Sequence, residues 1–225
     1  MTAIGSLNEK PLHAALKEWY RRDGDLVEEP VSGFVVDLVR DGELIEIQTR
    51  GFSAIRRKMD VLLDPHSVRL VYPIAVSKWI VKRDNTGAEV SRKRSPKRGI
   101  AADLCAELVS FPSLLSHPHF TIEVAFIEEE EVWRPDQKGW RRSGFVIEER
   151  RLVQVVETVE FNSPADLLRL LPPGLPDPFD TAELADGLGR SRHLAREVAY
   201  CLRVSGAVQT AGRDRRGVLY RVPAP

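Results

Sequence analysis

With 225 residues, 43% hydrophobic and 29% charged, the chain has the composition of an ordinary globular protein. It is long enough to bury one sizeable core, or one core with a small appended domain. Lysine plus arginine and aspartate plus glutamate both total 33, so the overall charge selects neither an acidic nor a basic partner.

No apolar run approaches the ~20 residues of a membrane-spanning helix. Residues 1–10 lack the charged-then-apolar layout of a secretory signal, so a cytoplasmic location is expected. Cys105 and Cys201 are far apart, with no CxxC spacing and no paired histidine ligands beside them. They read as small buried hydrophobes, not as a disulfide or a zinc site.

In chain order, residues 11–22 form a first helix, with Leu12, Leu16 and Trp19 at helical spacing, Asn8 as cap and Pro11 in the first turn. Asp23-Gly24-Asp25 stops it, and Pro30 prevents a helix from following, which leaves a short extended segment at 26–29. Residues 33–40 and 43–49 are strands flanking Asp41-Gly42, a strong hairpin signal. Leu44, Glu46 and Gln48 share one face of the second strand, and Ile45 and Ile47 the other. Ser53 caps a helix to residue 63, striped by Ile55, Met59 and Leu62. Residues 67–74 are nearly all apolar, as in a buried parallel strand. Helix, strand, strand, strand, helix, strand implies an α/β fold, a mixed sheet flanked by helices.

A polar, basic stretch through Gly99 reads as a loop or hairpin extension. Residues 100–108 look helical, 120–128 alternate as a strand, and 145–159 hold at least one more. Pro172-Pro173-Gly174 and Pro176-Asp177-Pro178 suit a linker. Beyond it, Asp180 caps a helix over 181–188, and Ser191 starts another through Arg203 that Gly206 ends. Residues 207–210 then pair with 218–221 across a tip at 213–217. Helix, turn, helix and hairpin is the layout of a winged helix. The reading is a sheet domain over 1–165 with its core at about 9–75, a linker over 166–178, and a winged-helix domain over 179–225.

Asp37 and Glu46 flank the tight reversal, so the hairpin sets them on neighbouring strands. Two carboxylates plus the backbone carbonyl of Ile47 make a donor set for a hard divalent ion, Mg²⁺ or Mn²⁺. Such an ion beside a phosphodiester polarises it and lowers the pKa of a water. Gln48 projects from the same face as Glu46, toward phosphate or water. Two readings of the Glu46/Gln48 alternation stand: a half-exposed strand with both side chains in water, or a covered sheet in which a partner such as a metal offsets their burial.

Residues 33–48, preceded by one helix and followed by another, resemble the hallmark hairpin of the PD-(D/E)xK nuclease superfamily, an acid on one strand and E-x-K on the next. The likeness spans roughly the first 75 residues. It implies a restriction-endonuclease-like fold and a Mg²⁺- or Mn²⁺-dependent endonuclease acting on DNA. Asp37 would be the first acid and Glu46 the second, with Gln48 in place of the usual lysine, as in E-x-Q restriction enzymes. Lys58 or Arg56 on the next helix would stand as a displaced cation. Glu9, with Glu18 and Glu28 as alternatives, would match the additional helix glutamate of resolvase-like members. The likeness also leaves open a core that lost catalysis with its lysine and serves in nucleic-acid or protein binding.

Arg92, Lys93, Arg94, Lys97 and Arg98 form a basic run, either a phosphate-neutralising surface or a solvated loop. Trp140-Arg141-Arg142 mixes an aromatic with two cations, and the acids at 128–131 are expected on a solvent-facing edge. In the winged helix, Arg192, His193 and Arg196 lie on the first turns of the second helix, where a recognition helix meets the major groove. Arg213, Arg215 and Arg216 lie at the wing tip. The expected partner is nucleic acid, double-stranded DNA first, with protein binding, a homodimer or a larger complex left open.

Overall fold

The computed structural model describes residues 10–138 and 144–223. Helix α1 (Pro11–Tyr20) buries Leu12, Leu16 and Tyr20, while Trp19 is half exposed. Strands β1 (Leu26–Val31), β2 (Phe34–Arg40) and β3 (Glu43–Ile47) form an antiparallel meander. Asp41 and Gly42, both at positive φ, make the tight reversal between β2 and β3. Helix α2 (Phe52–Leu62) then carries the chain across to β4 (Ser67–Arg83), which runs parallel to β3 from Glu43↔Ser67 to Ile47↔Val71.

β4 has 17 residues, twice the strand expected at 67–74. Its far half recruits part of the basic stretch as β5 (Glu89–Arg94), an antiparallel hairpin partner. A 3₁₀ turn (Ala101–Leu104), α3 (Cys105–Leu108) and a second 3₁₀ turn (Pro112–Ser116) lead to β6 (Phe120–Pro135), parallel to β4. β7 (Phe145–Phe161) closes the seven-stranded sheet antiparallel to β6, in the order β1-β2-β3-β4-β6-β7 with β5 beside β4. The fold is α/β, a large mixed sheet flanked by helices.

The acids at 128–131 lie inside β6, a strand covered on both sides by β4 and β7, and Glu129 and Glu131 are buried. The expectation of a solvent-facing edge is thereby corrected. Burying these charges requires partners. Lys78 Nζ lies 2.9 Å from Glu129 and 2.7 Å from Glu131, and Arg150 Nε lies 3.2 Å from Glu131.

After β7, a 3₁₀ turn (Pro164–Leu170) tucks Leu167 and Leu170 inward, and an irregular stretch holds the prolines. Helix α4 (Thr181–Leu188) opens on a capping box, in which Asp180 accepts from the Ala182 and Glu183 N–H and Glu183 reaches back to Asp180 N–H. Helix α5 (Arg192–Ser205) is capped by Ser191 and ended by Gly206 at φ 87°. Strands β8 (Gln209–Asp214) and β9 (Gly217–Arg221) form a two-stranded hairpin.

One apolar cluster joins sheet residues such as Leu44, Leu70 and Ile122 to Phe52 and Leu62 of α2, and onward to Leu194, Val198 and Leu202 of α5. The C-terminal helices therefore share a core with the sheet. Cys105 and Cys201 meet within it, Cys201 donating to the Cys105 carbonyl. The Cys201 contact and burial push the Cys105 thiol well up, which keeps it an inert apolar filler. A second cluster, Leu16, Leu38, Ile45, Ile47, Val71 and Ala125 among it, lies under α1 on the opposite face. Among the described residues no helix is long and apolar enough to cross a membrane.

Candidate functional site

The β2–β3 ladder pairs Arg40 with Glu43, Val39 with Leu44 and Leu38 with Ile45, and ends there. One more step would set Asp37 opposite Glu46. Instead β2 turns over: Val36 and Leu38, two apart on one strand, lie in different core clusters. On the other side, Glu28 sits at φ 52° and drops out of the β1–β2 register.

A strand that peels away leaves buried backbone groups unpaired unless side chains replace the missing bonds. Asp37 does so, its Oδ2 accepting the Ile47 N–H at 2.7 Å. Lys58, from α2, donates to the Val35 carbonyl at 2.7 Å. Lys58 Nζ also pairs with Glu46 Oε2, so one ammonium joins both strands at the point where they part. Arg56, the other cation considered, turns away to the Ser110 carbonyl at 2.9 Å.

Glu46 is 7% exposed, so the water-facing reading of its strand position is corrected. Burial, and then the negative charge of nearby Asp37, push its carboxyl up to about 7 against the opposing pull of Lys58. Burial also acts to raise Asp37, but the hydrogen bond and charge of His13, the Ile47 N–H and Lys58 together hold it below the usual range. His13 Nε2 lies 3.3 Å from Asp37 Oδ2. It occupies α1 between the buried Leu12 and Leu16, and no local pattern marks it, since its partner is a strand residue 24 positions away.

Gln48 gives its backbone N–H to Val71 and turns its amide to the Arg50 carbonyl, along its own chain. Glu18 lies 3.6 Å from Arg21, and Glu28 lies 2.7 Å from Lys17. Glu9 and the Trp140-Arg141-Arg142 segment lie outside the described residues. The expected Ser53 cap is also corrected. The N-cap of α2 is Gly51 at φ 72°, and Glu107, from α3, accepts the Gly51 and Phe52 N–H at 2.8 and 3.0 Å. That long-range carboxylate seats the helix that delivers Lys58.

The basic run divides. Arg92 pairs with Glu130 and lies over Trp79, and Arg94 reaches Ser77 Oγ at 3.0 Å. Lys93, Lys97 and Arg98 are exposed. The segment is pinned to β4, Ser95 N–H to the Lys78 carbonyl and Gly99 N–H to the Ala75 carbonyl, each at 2.8 Å. On α5, Arg192, His193 and Arg196 are exposed, with His193 Nε2 3.2 Å from Glu197. At the hairpin tip Arg213 and Arg215 are exposed. Arg216, expected to reach outward with them, folds back to Asp180 and Glu183, each at 3.1 Å, and braces the hairpin against the start of α4.

The carboxylates of Asp37 and Glu46 are of the oxygen type a hard divalent ion prefers, with Asp37 Oδ2 engaged by the Ile47 N–H and His13 and Glu46 Oε2 by Lys58. Among the described residues no group of three or more His, Cys, Asp and Glu side chains is disposed to hold a metal ion. Any such ion would therefore depend on the backbone and on water for part of its shell.

Residues 10–162 match the family model described as Domain of unknown function (DUF8091). That span runs from α1 to the end of β7 and stops before the C-terminal helices. An "Uncharacterized protein" of Treponema pallidum (strain Nichols) is 30% identical over 226 residues, covering 99% of this chain and 88% of that protein. No solved structure matches the chain. The whole large sheet with its α1 and α2 layers thus falls within one matched unit, and the chain belongs to the DUF8091 family.

Proposed function

We propose that this protein is a divalent-metal-dependent phosphodiesterase of the endonuclease type, acting on DNA in the cytoplasm, built on a PD-(D/E)xK-like core and targeted by a winged-helix-like C-terminal region. The observation that carries the reading is the placement of Lys58 on Glu46, beside Asp37, where β2 leaves β3. The meander, the α2 crossover and the parallel β3–β4 pair that surround it agree with that reading.

In this account Asp37, Glu46 and the Ile47 carbonyl would hold Mg²⁺ or Mn²⁺, which when bound would supply Lewis acidity toward a water and the scissile phosphate. Lys58 stands in for the lysine that Gln48 replaces, holding Glu46 in position and offering positive charge to the phosphate. His13 orients Asp37 from the opposite side.

Cleavage of plasmid and short duplexes with Mg²⁺ or Mn²⁺ tests this. Asp37→Ala, Glu46→Gln and Lys58→Met should each lower the rate by at least about a hundredfold. Cleavage that survives both carboxylate substitutions removes the site from the mechanism. A second reading, a nuclease-like core retained for binding alone, is favoured by the Gln48 amide being spent on the Arg50 carbonyl. It predicts binding without cleavage in wild type.

A further inference from the structure

Two basic stretches that are distant in sequence meet in space. Arg190, just before α5, donates to the Arg98 carbonyl at 2.7 Å. Between them opens a cavity of about 690 Å³ that carries five cations, Lys78, Lys97, Arg98, Arg150 and Arg190, against two acids, Asp103 and Glu129. Lys78 and Arg150 are engaged with the buried glutamates of β6, so the charge free to meet a ligand is that of Lys97, Arg98 and Arg190 at the rim.

The floor is different in kind. Tyr72, Pro73, Ile74 and Ala75 of β4 line it, and it extends to Leu12 and Thr49. Those two residues adjoin His13 and Gln48 in sequence, so the cavity reaches toward the end of β3 that carries Glu46, while Asp37, Glu46 and Lys58 are not among its lining residues. A smaller cavity of about 200 Å³ continues past the same Leu12 and Thr49 to Lys10 and Arg50, with Glu148 and Glu149 also on its lining. The near wall is firmly built. A Cβ at Gly99 would fall 2.3 Å from Ile74 Cγ2 and 2.9 Å from the Ala75 carbonyl oxygen, so only glycine lets the basic segment lie against β4 this closely.

An apolar floor with cations along the rim fits a polymer whose flat apolar faces and phosphates are both accessible. A single strand has that character, whereas a duplex turns its base faces inward and offers a convex row of phosphates. The volume is that of a small-molecule pocket, room for about one or two nucleotides. We infer that this cavity seats a single-stranded segment of nucleic acid next to the Asp37–Glu46 site, so that the preferred substrate is duplex DNA bearing an overhang or flap. The substrate assignment rests on the nuclease reading above; the binding groove does not.

The test is fluorescence anisotropy of the full chain in EDTA, with a labelled single-stranded 12-mer, the same sequence as a blunt duplex, and a duplex carrying a single-stranded overhang. Wild type should prefer the two probes with single-stranded character. Lys97→Glu/Arg98→Glu/Arg190→Glu should weaken them at least about tenfold and flatten the salt dependence, the log–log slope falling by about 0.7 for each phosphate that is no longer neutralised. Because Arg190 also tethers Arg98, Lys97→Glu alone, with its melting temperature measured, separates loss of charge from loss of fold.

Affinity and salt slope unchanged in the variants overturn the groove, and a blunt duplex bound as tightly as the overhang overturns the single-strand assignment. Binding that depends on the rim cations in a chain that cuts nothing removes the nuclease reading and spares the groove, while cutting with rim-independent affinity does the reverse.

Discussion

Glu46 sits between opposed influences, and the balance has a sign that can be measured. Burial and Asp37 raise its carboxyl from an ordinary 4.5 to about 7, so between those values the folded chain holds a proton that the unfolded chain has released. Stability from this group is therefore fully present below pH 4.5 and lost as pH rises through about 7. In metal-free melts from pH 4.5 to 8, wild type should lose up to about 3 kcal/mol relative to Glu46→Gln across that window. Asp37 has the opposite sign, its contribution vanishing only as pH falls through its lowered value. Parallel profiles for wild type and Glu46→Gln would mean that the carboxyl is not buried as described. Lys58→Met should cost about 1–3 kcal/mol at neutral pH, since it leaves the Val35 carbonyl unpaired and removes the pull that lowers Glu46, whose carboxyl then takes up a proton. Asp37 and Glu46 were legible as a pair because they flank an Asp-Gly reversal. His13 was not, because helix periodicity records only which side a residue faces and says nothing of what that side meets.

The helices differ in how much of their definition is local. α4 and α5 carry their own signals, Asp180 with Glu183 and Ser191 with Gly206, and their starts and stops are readable from those residues. α2 does not. Its nearest capping candidate, Ser53, is inside the helix, and the cap arrives from Glu107. Glu107→Ala should lower stability by about 1 kcal/mol and Glu107→Gln by less, read in denaturant melts. Because α2 delivers Lys58, the same substitution should, on the nuclease proposal, reduce cleavage beyond its effect on stability. Strand lengths were hidden for a related reason. β4, β6 and β7 run 16 or 17 residues because β6 pairs along its length with both of the others. β4 and β6 were visible in sequence only where a covered face made them strongly apolar, while 145–159 reads only as holding at least one strand of β7. The glutamates of β6 concealed the rest, their burial made tolerable by Lys78 and Arg150 from neighbouring strands.

At the scale of the molecule, the C-terminal helices and the sheet share buried surface. Leu202→Ala, at a fully buried position of α5, should cost about 2–5 kcal/mol and lower a single melting transition for the entire chain. A chain ended at Pro178 should fail to give a cooperative melt, because Leu104, Leu108 and Leu115 would be stripped of the helices packed over them. Two separate transitions in the intact chain would instead show the C-terminal region to be thermally independent. The joined core also bears on ligand discovery. Anything lodged between residues 97–98 and Arg190 touches pieces that melt together, so occupancy anywhere along that wall should stabilise the sheet and the C-terminal helices as one, by about 2.7 kcal/mol at a hundredfold excess over Kd, and raise their shared unfolding temperature. A thermal-shift screen of oligonucleotides would thus register occupants that are never cut.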